Sequence, residues 1–461
     1  MGRIQIPTEV SSNSFRDPDG FVFVSNGVVL RQVNYSYKQN YDCLIKSGLY
    51  DNLRKNGLLI EHVELKSPAT PNQSYYKILK PRQIGFISYP YEWSFGQLKD
   101  AALATLKIQR IAIKHDMTLK DASAYNIQFV DGKPQLIDTL SFEKYDPQKP
   151  WKPYRQFCQH FLVPLTLASY KDPRLIQMLR IFNDGIPIEI GSKLLPIRAL
   201  LKPSLFFNIF THARFQNGSP DKNNQSKKQF SENALMGLID VLEGSIKSLS
   251  LKNTRSVWSN YYKDDSYSRT AFEDKINIVK NFLKVTKPKT LWDLGANDGT
   301  FSRLASYQGI ETIATDNDPM VVEFNYQKMK SNQETNLLPL VIDLVSPSPS
   351  QGFANDELKS FFQRGNPDMI FALALIHHLT ISANINLDLL AKLFNKLTKW
   401  LVIEFVPKSD PKVRYMLVSR DDIFQDYNQQ NFEKKFESYF KIEKKIKLKD
   451  SQRLLYLMIQ K

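Results

Sequence analysis

Residues 291–301 read Leu-Trp-Asp-Leu-Gly-Ala-Asn-Asp-Gly-Thr-Phe, an apolar stretch running into an Asp-x-Gly-x-x-x-Gly turn. Glycine at 295 and 299 lets the backbone bend tightly and approach a ligand with no Cβ in the way. Placed between a strand and a helix, such a turn opens onto the crevice of an α/β sheet. Asp293, Gly295, Asn297 and Gly299 are therefore candidates for a nucleoside site. The glycine spacing is wider than in the dinucleotide fingerprint, so no diphosphate cradle is expected. The next apolar run, Glu311 to Thr315, ends in Asp316 and Asn317, which places a carboxylate where strand tips grip ribose hydroxyls. A third run, Leu337 to Ile342, ends in Asp343 and Leu344, and a fourth, Asp368 to Ile376, ends in His377 and His378. A histidine titrating near neutrality is suited to take a proton, so these two, with Glu404 and Lys408 further on, are the candidates for catalysis beside the nucleoside.

A second constellation lies in the first half. Asp121-Ala-Ser-Ala-Tyr-Asn126 is followed by a hairpin pattern, Ile127 to Val130 and Pro134 to Ile137 around Asp131-Gly132, and then by Asp138. An Asp can orient an attacking hydroxyl while an Asn and a later Asp hold Mg²⁺ on nucleotide phosphates. The supporting charges are missing upstream. The hairpin pattern Asp19 to Gly27 lacks a glycine-rich phosphate loop, Arg31 stands where a lysine is wanted, Tyr41 to Lys55 contains no Glu, and Lys120 precedes Asp121. Without a lysine and its glutamate the phosphates lose their main positioning charge, so Asp121, Asn126 and Asp138 read as a degenerate site, and no metal is assigned.

The elements that must position these residues follow from periodicity. Leu98 to Met117 carries a helical apolar face ahead of Asp121, and Ala234 to Leu249 another that would bridge the two halves. A third helix, Arg269 to Val285, stops before Pro288, and Tyr262 and Tyr267 ahead of it are lid candidates. Trp400 to Val406 is a continuous apolar run, as in a buried parallel strand. Phe440 to Leu448 and Arg453 to Ile459 form a terminal hairpin whose lysines suit a protected edge. Two aromatic segments could hold a ligand ring or simply pack: Phe86 to Phe95 around Glu92, and Pro150 to Phe157, whose Trp151, Lys152 and Arg155 could accept a phosphate or sugar.

With the glycine turn, the Asp316 and Asp343 tips and the "LIHHL" segment in order, residues 256–461 resemble a class I S-adenosylmethionine-dependent methyltransferase. That resemblance implies α/β architecture with a Rossmann-like seven-stranded sheet and an antiparallel terminal hairpin. It implies S-adenosyl-L-methionine as cofactor, with Asp293 and Gly295 against the methionine, Asp316 on the ribose, and Asp343 with Leu344 at the adenine. Residues 1–214 resemble an α+β kinase-like domain, in the manner of protein and aminoglycoside-type kinases. A polar linker, 215–233, and the bridging helix, 234–255, complete the division. The series "YPYEWSF", "KDASAYN", "IDTLSFE", "DLGANDG" and "LIHHL" resembles a bacterial family of two-part methyltransferases, some members of which carry a nodulation-related label. The methyl acceptor is unidentified, and no Asn-Pro-Pro-Tyr or Asp-Pro-Pro-Tyr motif follows the fourth strand. An oxygen or nitrogen of a small molecule, glycan or lipid precursor is therefore preferred. A bifunctional protein that also phosphorylates, and a pair of binding modules without chemistry, are the competing classes.

A chain of 461 residues with 42% hydrophobic and 24% charged residues suits two soluble globular domains. No apolar run approaches the length of a membrane span and no signal-peptide core opens the sequence, which points to the cytoplasm. Only Cys43 and Cys158 are present, so no disulfide framework is available and both are expected as buried thiols. The net charge is +15, its excess mainly in the first half, where residues 151–230 hold twelve basic and four acidic side chains. That stretch keeps a nucleic-acid acceptor open, although no RNA-binding module is recognisable and it is not favoured. Oligomeric state is not set by the sequence.

Overall fold

The computed structural model describes residues 14–66, 75–211, 231–251, 268–418 and 421–461. Tyr262, Tyr267 and most of the expected linker lie outside the described residues. The chain divides into two compact units. The first takes the described residues up to 251 together with Ser350–Lys359, and the second takes the rest.

The first unit opens with β1 (Gly20–Ser25) and β2 (Val28–Asn34), joined through Asn26 and Gly27, both at positive φ as a tight two-residue hairpin turn requires. Helices α1 (Lys38–Lys46) and α2 (Leu49–Lys55) follow, split at Gly48, whose φ of 77° breaks the helical run. Strands β3 (His62–Glu64) and β4 (Tyr75–Pro81) complete an antiparallel sheet of order β1-β2-β4-β3. Phe23, Leu30 and Ile78 bury one part of it, and Val33, Tyr37, Tyr41 and Leu79 pack another against Leu140. The long helix α3 covers Phe95–Ile113, beginning three residues before the sequence suggested. It starts there because Ser94 and Gln97 form a capping box, the Gln97 Oε1 accepting from the Ser94 N–H at 2.9 Å.

After α3, β5 (Met117–Leu119) pairs with β8 (Phe142–Lys144), and β6 (Ile127–Val130) with β7 (Lys133–Leu136) as the expected hairpin. The helix α4 (Glu232–Ser248), expected to bridge the halves, packs within the first unit on α3 instead. Arg110 reaches Asp240 at 2.6 Å and Glu243 at 2.8 Å, and Lys99 Nζ donates to the Leu249 carbonyl at 2.7 Å. The aromatic joint Phe86–Phe95 is closed on itself. Glu92 is fully buried and accepts from the Tyr89 N–H at 2.9 Å, and the Trp93 indole donates to Ser88 Oγ at 2.9 Å. Cys158 is buried as expected, whereas Cys43 is half-buried.

In the second unit, α5 (Arg269–Thr286) is capped by Ser268 and ends at Lys287, which turns left-handed ahead of Pro288. The sheet contains β9 (Thr290–Leu294), β10 (Glu311–Asp316), β11 (Leu337–Val341), β12 (Met369–Ala372), β13 (Trp400–Phe405), β14 (Phe440–Lys447) and β15 (Leu454–Gln460). Its order is β11-β10-β9-β12-β13-β15-β14, with β11, β10, β9, β12 and β13 paired in parallel and β15 antiparallel to both β13 and β14. This is the Rossmann-like seven-stranded sheet with an antiparallel terminal hairpin. Val279, Leu283, Leu291, Phe301, Phe371 and Val402 lie in one core beneath it, each burial worth about 1.5–3 kcal/mol. The edge strand β14 exposes Lys441, Lys444, Lys445 and Lys447, which discourages pairing with a further strand. The fourth strand is shorter than its apolar run. It stops at Ala372, the chain turns left-handed at Ala374 (φ 50°), and His378–Ser382 forms a single wide helical turn.

Candidate functional site

The strand order reverses between β9 and β12, and the crevice outside the carboxyl ends of strands at such a point is where open α/β sheets bind ligands. The glycine turn stands there. Gly295 leaves β9 at φ 72°, and a Cβ on it would meet Leu375 Cδ1 at 3.0 Å. Gly299 at φ 76° precedes helix α6 (Thr300–Ser306). A Cβ there would lie 2.5 Å from Asn325 Oδ1 and 2.6 Å from the Arg303 guanidinium. Asn297 is also left-handed, at φ 48°, a conformation Asn tolerates better than most side chains.

Asp316 ties this turn to the neighbouring strand. One carboxylate oxygen accepts from the Asn297 N–H at 3.0 Å and the other from the Asp318 N–H at 3.1 Å. Burial raises its pKa to about 6, although those backbone donors oppose the shift. The Ile342 N–H donates to the Asp316 carbonyl at 2.8 Å, which sets the β11 tip beside it. Asp343 and Leu344, both partly buried, follow at once, Asp343 accepting from the Val345 N–H at 2.8 Å. Asn317 is exposed. Asn297, Asp316 and the Asp343 tip thus lie together at the ends of the strands.

Asp293 departs from expectation. It is 2% exposed, and its carboxylate is turned to helix α6, where Ser302 Oγ donates to it at 2.6 Å. Desolvation raises its pKa to about 7 against the pull of Ser302 and Lys275. It braces the turn from within instead of facing a methionine moiety.

Glu404 is corrected in the same way. Its side chain is fully buried in β13, 2.7 Å from Lys275 Nζ of α5 and 3.6 Å from the Arg453 guanidinium, which in turn holds Asp410 at 2.7 Å. Lys275 Nζ also lies 4.5 Å from the Phe301 ring centroid, beside the glycine turn. A carboxylate sealed between two cations has no path to an acceptor. Lys408 is engaged by Asp422 at 2.7 Å.

His377 and His378 do not sit on a strand end, because β12 stops early; they open the helical turn behind Leu375. His377 is fully buried with both ring nitrogens unpartnered, and burial together with the neighbouring His378, Arg453 and Lys275 holds its pKa well below the usual value. His378 is partly buried and lowered to about 4, first by burial and then by Arg453. Neither titrates near neutrality, so both are neutral imidazoles at physiological pH. Lys275 and Arg453 were not marked by any motif; the one hint was a Glu inside an apolar strand, which demands a counter-cation.

In the first unit, Asn126 and Asp138 meet at one hydroxyl: Asn126 Nδ2 donates to Ser141 Oγ at 3.3 Å, and Ser141 Oγ to Asp138 at 2.7 Å. The other Asp138 oxygen lies 2.5 Å from the Arg31 guanidinium, which is also 3.6 Å from Asp17. Asp121 accepts from the Ser123 N–H at 2.9 Å. Lys120 pairs with Asp19 and covers the Tyr37 ring. Among the described residues no group of His, Cys, Asp and Glu is arranged to hold a metal ion, and no helix is long and apolar enough to cross a membrane.

Fold and site together define a two-part protein whose second unit is a sheet of class I methyltransferase topology with a crevice at its switch point. Over 458 residues the chain is 33% identical to the nodulation protein NoeA of Rhizobium meliloti (strain 1021), covering 96% of this chain and 95% of that one. It belongs to that protein's family. No family model matches the chain. Among solved structures, the bifunctional kinase-methyltransferase WbdD is 16% identical over 43% of this chain and 41% of its own, with a TM-score of 0.30. The N-methyltransferase NodS from Bradyrhizobium japonicum WM9 is 10% identical over 42% of this chain and 98% of its own, with a TM-score of 0.31. Magnesium protoporphyrin IX methyltransferase (ChlM) from Synechocystis PCC 6803 with bound SAH is 15% identical over 44% of this chain and 93% of its own, with a TM-score of 0.33. The fold assignment rests on the strand order itself.

Proposed function

We propose that this protein is an S-adenosylmethionine-dependent methyltransferase acting on an oxygen or nitrogen atom of a small molecule, glycan or lipid precursor. The observation that carries this reading is the Asp316 carboxylate, anchored through both oxygens beside the left-handed Gly295 turn at the switch point of the sheet. The residues fit the cofactor. Gly295 supplies a close backbone approach that a Cβ would fill, and Asp316 retains acceptor lone pairs for vicinal hydroxyls. When bound, the cofactor supplies an activated methyl group on a sulfonium sulfur.

Asp316 would hold the ribose, Asp343 and Leu344 would meet the adenine, and the chain at Gly295 to Asn297 would pass along the cofactor. Transfer to the methyl carbon is an in-line displacement, so the protein has chiefly to aim the acceptor and exclude water. Leu375, packed over Gly295, serves the second task. His378, neutral and partly buried, can accept a hydrogen bond from an acceptor O–H or N–H and so orient it. A base with a pKa near 4 gives no rate limb around neutrality, so the acid limb should follow Asp316, near pH 6.

Calorimetric titration of the full chain with S-adenosylmethionine tests the proposal. Binding should be lost in Asp316→Ala and Gly295→Arg and should weaken as pH falls through about 6. An intact, folded chain that binds no S-adenosylmethionine would sink it. Transfer of labelled methyl into fractionated cell extract then identifies the acceptor class.

A further inference from the structure

From 190 to 220 the chain has no acidic residue but holds Lys193, Arg198, Lys202 and Arg214. The described part runs from the short helix Ile188–Leu194 through a turn, Ile197–Leu201, and a brief helix, Pro203–Leu205, into the wide helical turn Phe206–Thr211. One side of this run is spent on the first unit. Gly191, Leu195 and Ala199, spaced four apart, are buried, as are Leu205, Asn208 and Ile209. Gly191 lies so close to Val163 that a Cβ would overlap it, and Asn208 Oδ1 accepts from the Tyr154 hydroxyl at 2.5 Å. The residues between them face outward. Leu194 is 41% exposed, Ile197 and Leu201 81% each, and Phe207 64%. Single exposed hydrophobics are ordinary on a protein surface, but a row of large ones on one short segment marks an interaction site.

The cations beside them are not neutralised by acids. Arg198 donates to the Tyr170 carbonyl at 2.9 Å and Lys202 to Ser248 Oγ at 3.3 Å, both uncharged acceptors. Lys193 is exposed, and the acid nearest to it in sequence, Glu189, faces Arg155 at 3.8 Å. The surface therefore sets bare aliphatic and aromatic side chains among positive charges, and that pairing decides between occupants. A nucleic acid would use the cations and an aromatic face but leave Ile197 and Leu201 in water. A partner helix needs a continuous apolar stripe to pack along, which Pro196 and Pro203 interrupt. A second copy would bring the same cations and no acid to answer them. An anionic bilayer answers both features, because apolar tips enter the boundary between headgroups and acyl chains while Lys and Arg stay at the phosphates.

We propose that the surface from Lys193 to Phe207 seats the protein reversibly on a bilayer containing anionic lipid. Ile197, Leu201 and Phe207 enter the interface, and Lys193, Arg198 and Lys202 meet the headgroup phosphates. The two contributions act together, since salt screens the cations and a few side chains bury little apolar area by themselves. The inference stands apart from methyl transfer, because the surface lies wholly in the first unit.

Flotation of the full chain with vesicles of phosphatidylcholine and phosphatidylglycerol, and with vesicles of phosphatidylcholine alone, provides the test. Saturable binding to the mixed vesicles, reduced by added salt, is expected, with much weaker binding to phosphatidylcholine. Lys193→Gln and Lys202→Gln should each weaken binding about fivefold, the equivalent of about 1 kcal/mol per charge at such a surface. The paired variant Ile197→Ser with Leu201→Ser should weaken it by about tenfold or more, at low and high salt alike. Both of its positions point outward, so it should melt with the parent in thermal unfolding. In Phe207→Trp, mixed vesicles should shift the emission to shorter wavelength and brominated lipid should quench it, beyond any change in the parent. The proposal fails if the mixed vesicles do not bind, if they bind the paired variant as they bind the parent, or if phosphatidylcholine alone binds equally well. Single-stranded RNA that binds where vesicles do not would give the surface to nucleic acid. A dimer that the paired variant dissolves and vesicles leave unchanged would give it to a second copy, and either result overturns the proposal.

Discussion

Asp293 and Asp316 stand on adjacent strands, and desolvation raises both, to about 7 and about 6. A carboxyl whose folded pKa exceeds its unfolded value contributes stability that is complete below the unfolded pKa and is lost as pH rises through the folded one. The two therefore favour the folded state in the window below about pH 6–7 and cost it stability above. Asp293→Asn keeps an acceptor for Ser302 and removes the buried charge, so its melting temperature should exceed the parent's at pH 8. That gap should close near pH 4, as thermal unfolding at the two pH values would show. A gap of equal size at both would assign the gain to packing. Gly299 works through space. A Cβ there collides with Asn325 and Arg303 and sits in the left-handed region, so Gly299→Ala should cost about 1–3 kcal/mol in urea unfolding and weaken S-adenosylmethionine binding.

At the scale of elements, α5, β13 and the entry into β15 are fastened by the buried chain Lys275, Glu404, Arg453 and Asp410. Taking a charge out of water is expensive, so removing one partner leaves the others uncompensated. Glu404→Ala should lower stability by about 3–5 kcal/mol, measured by denaturant unfolding. The double variant Lys275→Met with Glu404→Met replaces the close pair by apolar groups and should recover most of that loss. Because Lys275 also lies over Phe301, the same variants report whether the fastening sets the glycine turn. If it does, the double variant will be stable yet bind S-adenosylmethionine more weakly than the parent.

At the scale of the whole molecule, two units carry two constellations with unlike prospects. The second unit's groups converge on an open switch point. In the first unit Arg31 and Ser141 take up Asp138, and Asn126 shares the same serine. These contacts tie Asp138 and Asn126 into the first unit's own framework and give phosphotransfer no support. Asp138→Asn should therefore destabilise the first unit by about 1–3 kcal/mol in denaturant unfolding, through the weakened Arg31 contact, and leave labelled methyl transfer near the parent rate. Magnesium-dependent ATP turnover that vanishes in Asp138→Asn would reverse this assignment and restore the bifunctional alternative.

The sequence made the second unit's architecture legible, because period-2 and continuous apolar runs, glycine turns and prolines act locally and leave little choice of element. It also marked Gly295, Asn297, Asp316 and Asp343, since residues at strand ends inherit their position from the strands. What lay beyond it was direction and company. Whether Asp293 faces the crevice or Ser302, whether Glu404 meets an acceptor or Lys275, and whether His377 is wet or sealed depend on residues far apart in the chain. Burial then fixes the chemistry, because the cost of a charge in a low-dielectric interior moves each pKa away from the value its residue type suggests. The early end of β12 was likewise hidden, as an apolar run does not reveal where the backbone will leave a sheet. That the histidines are neutral and that Arg31 answers Asp138 follows from packing between distant segments, which no local pattern carries.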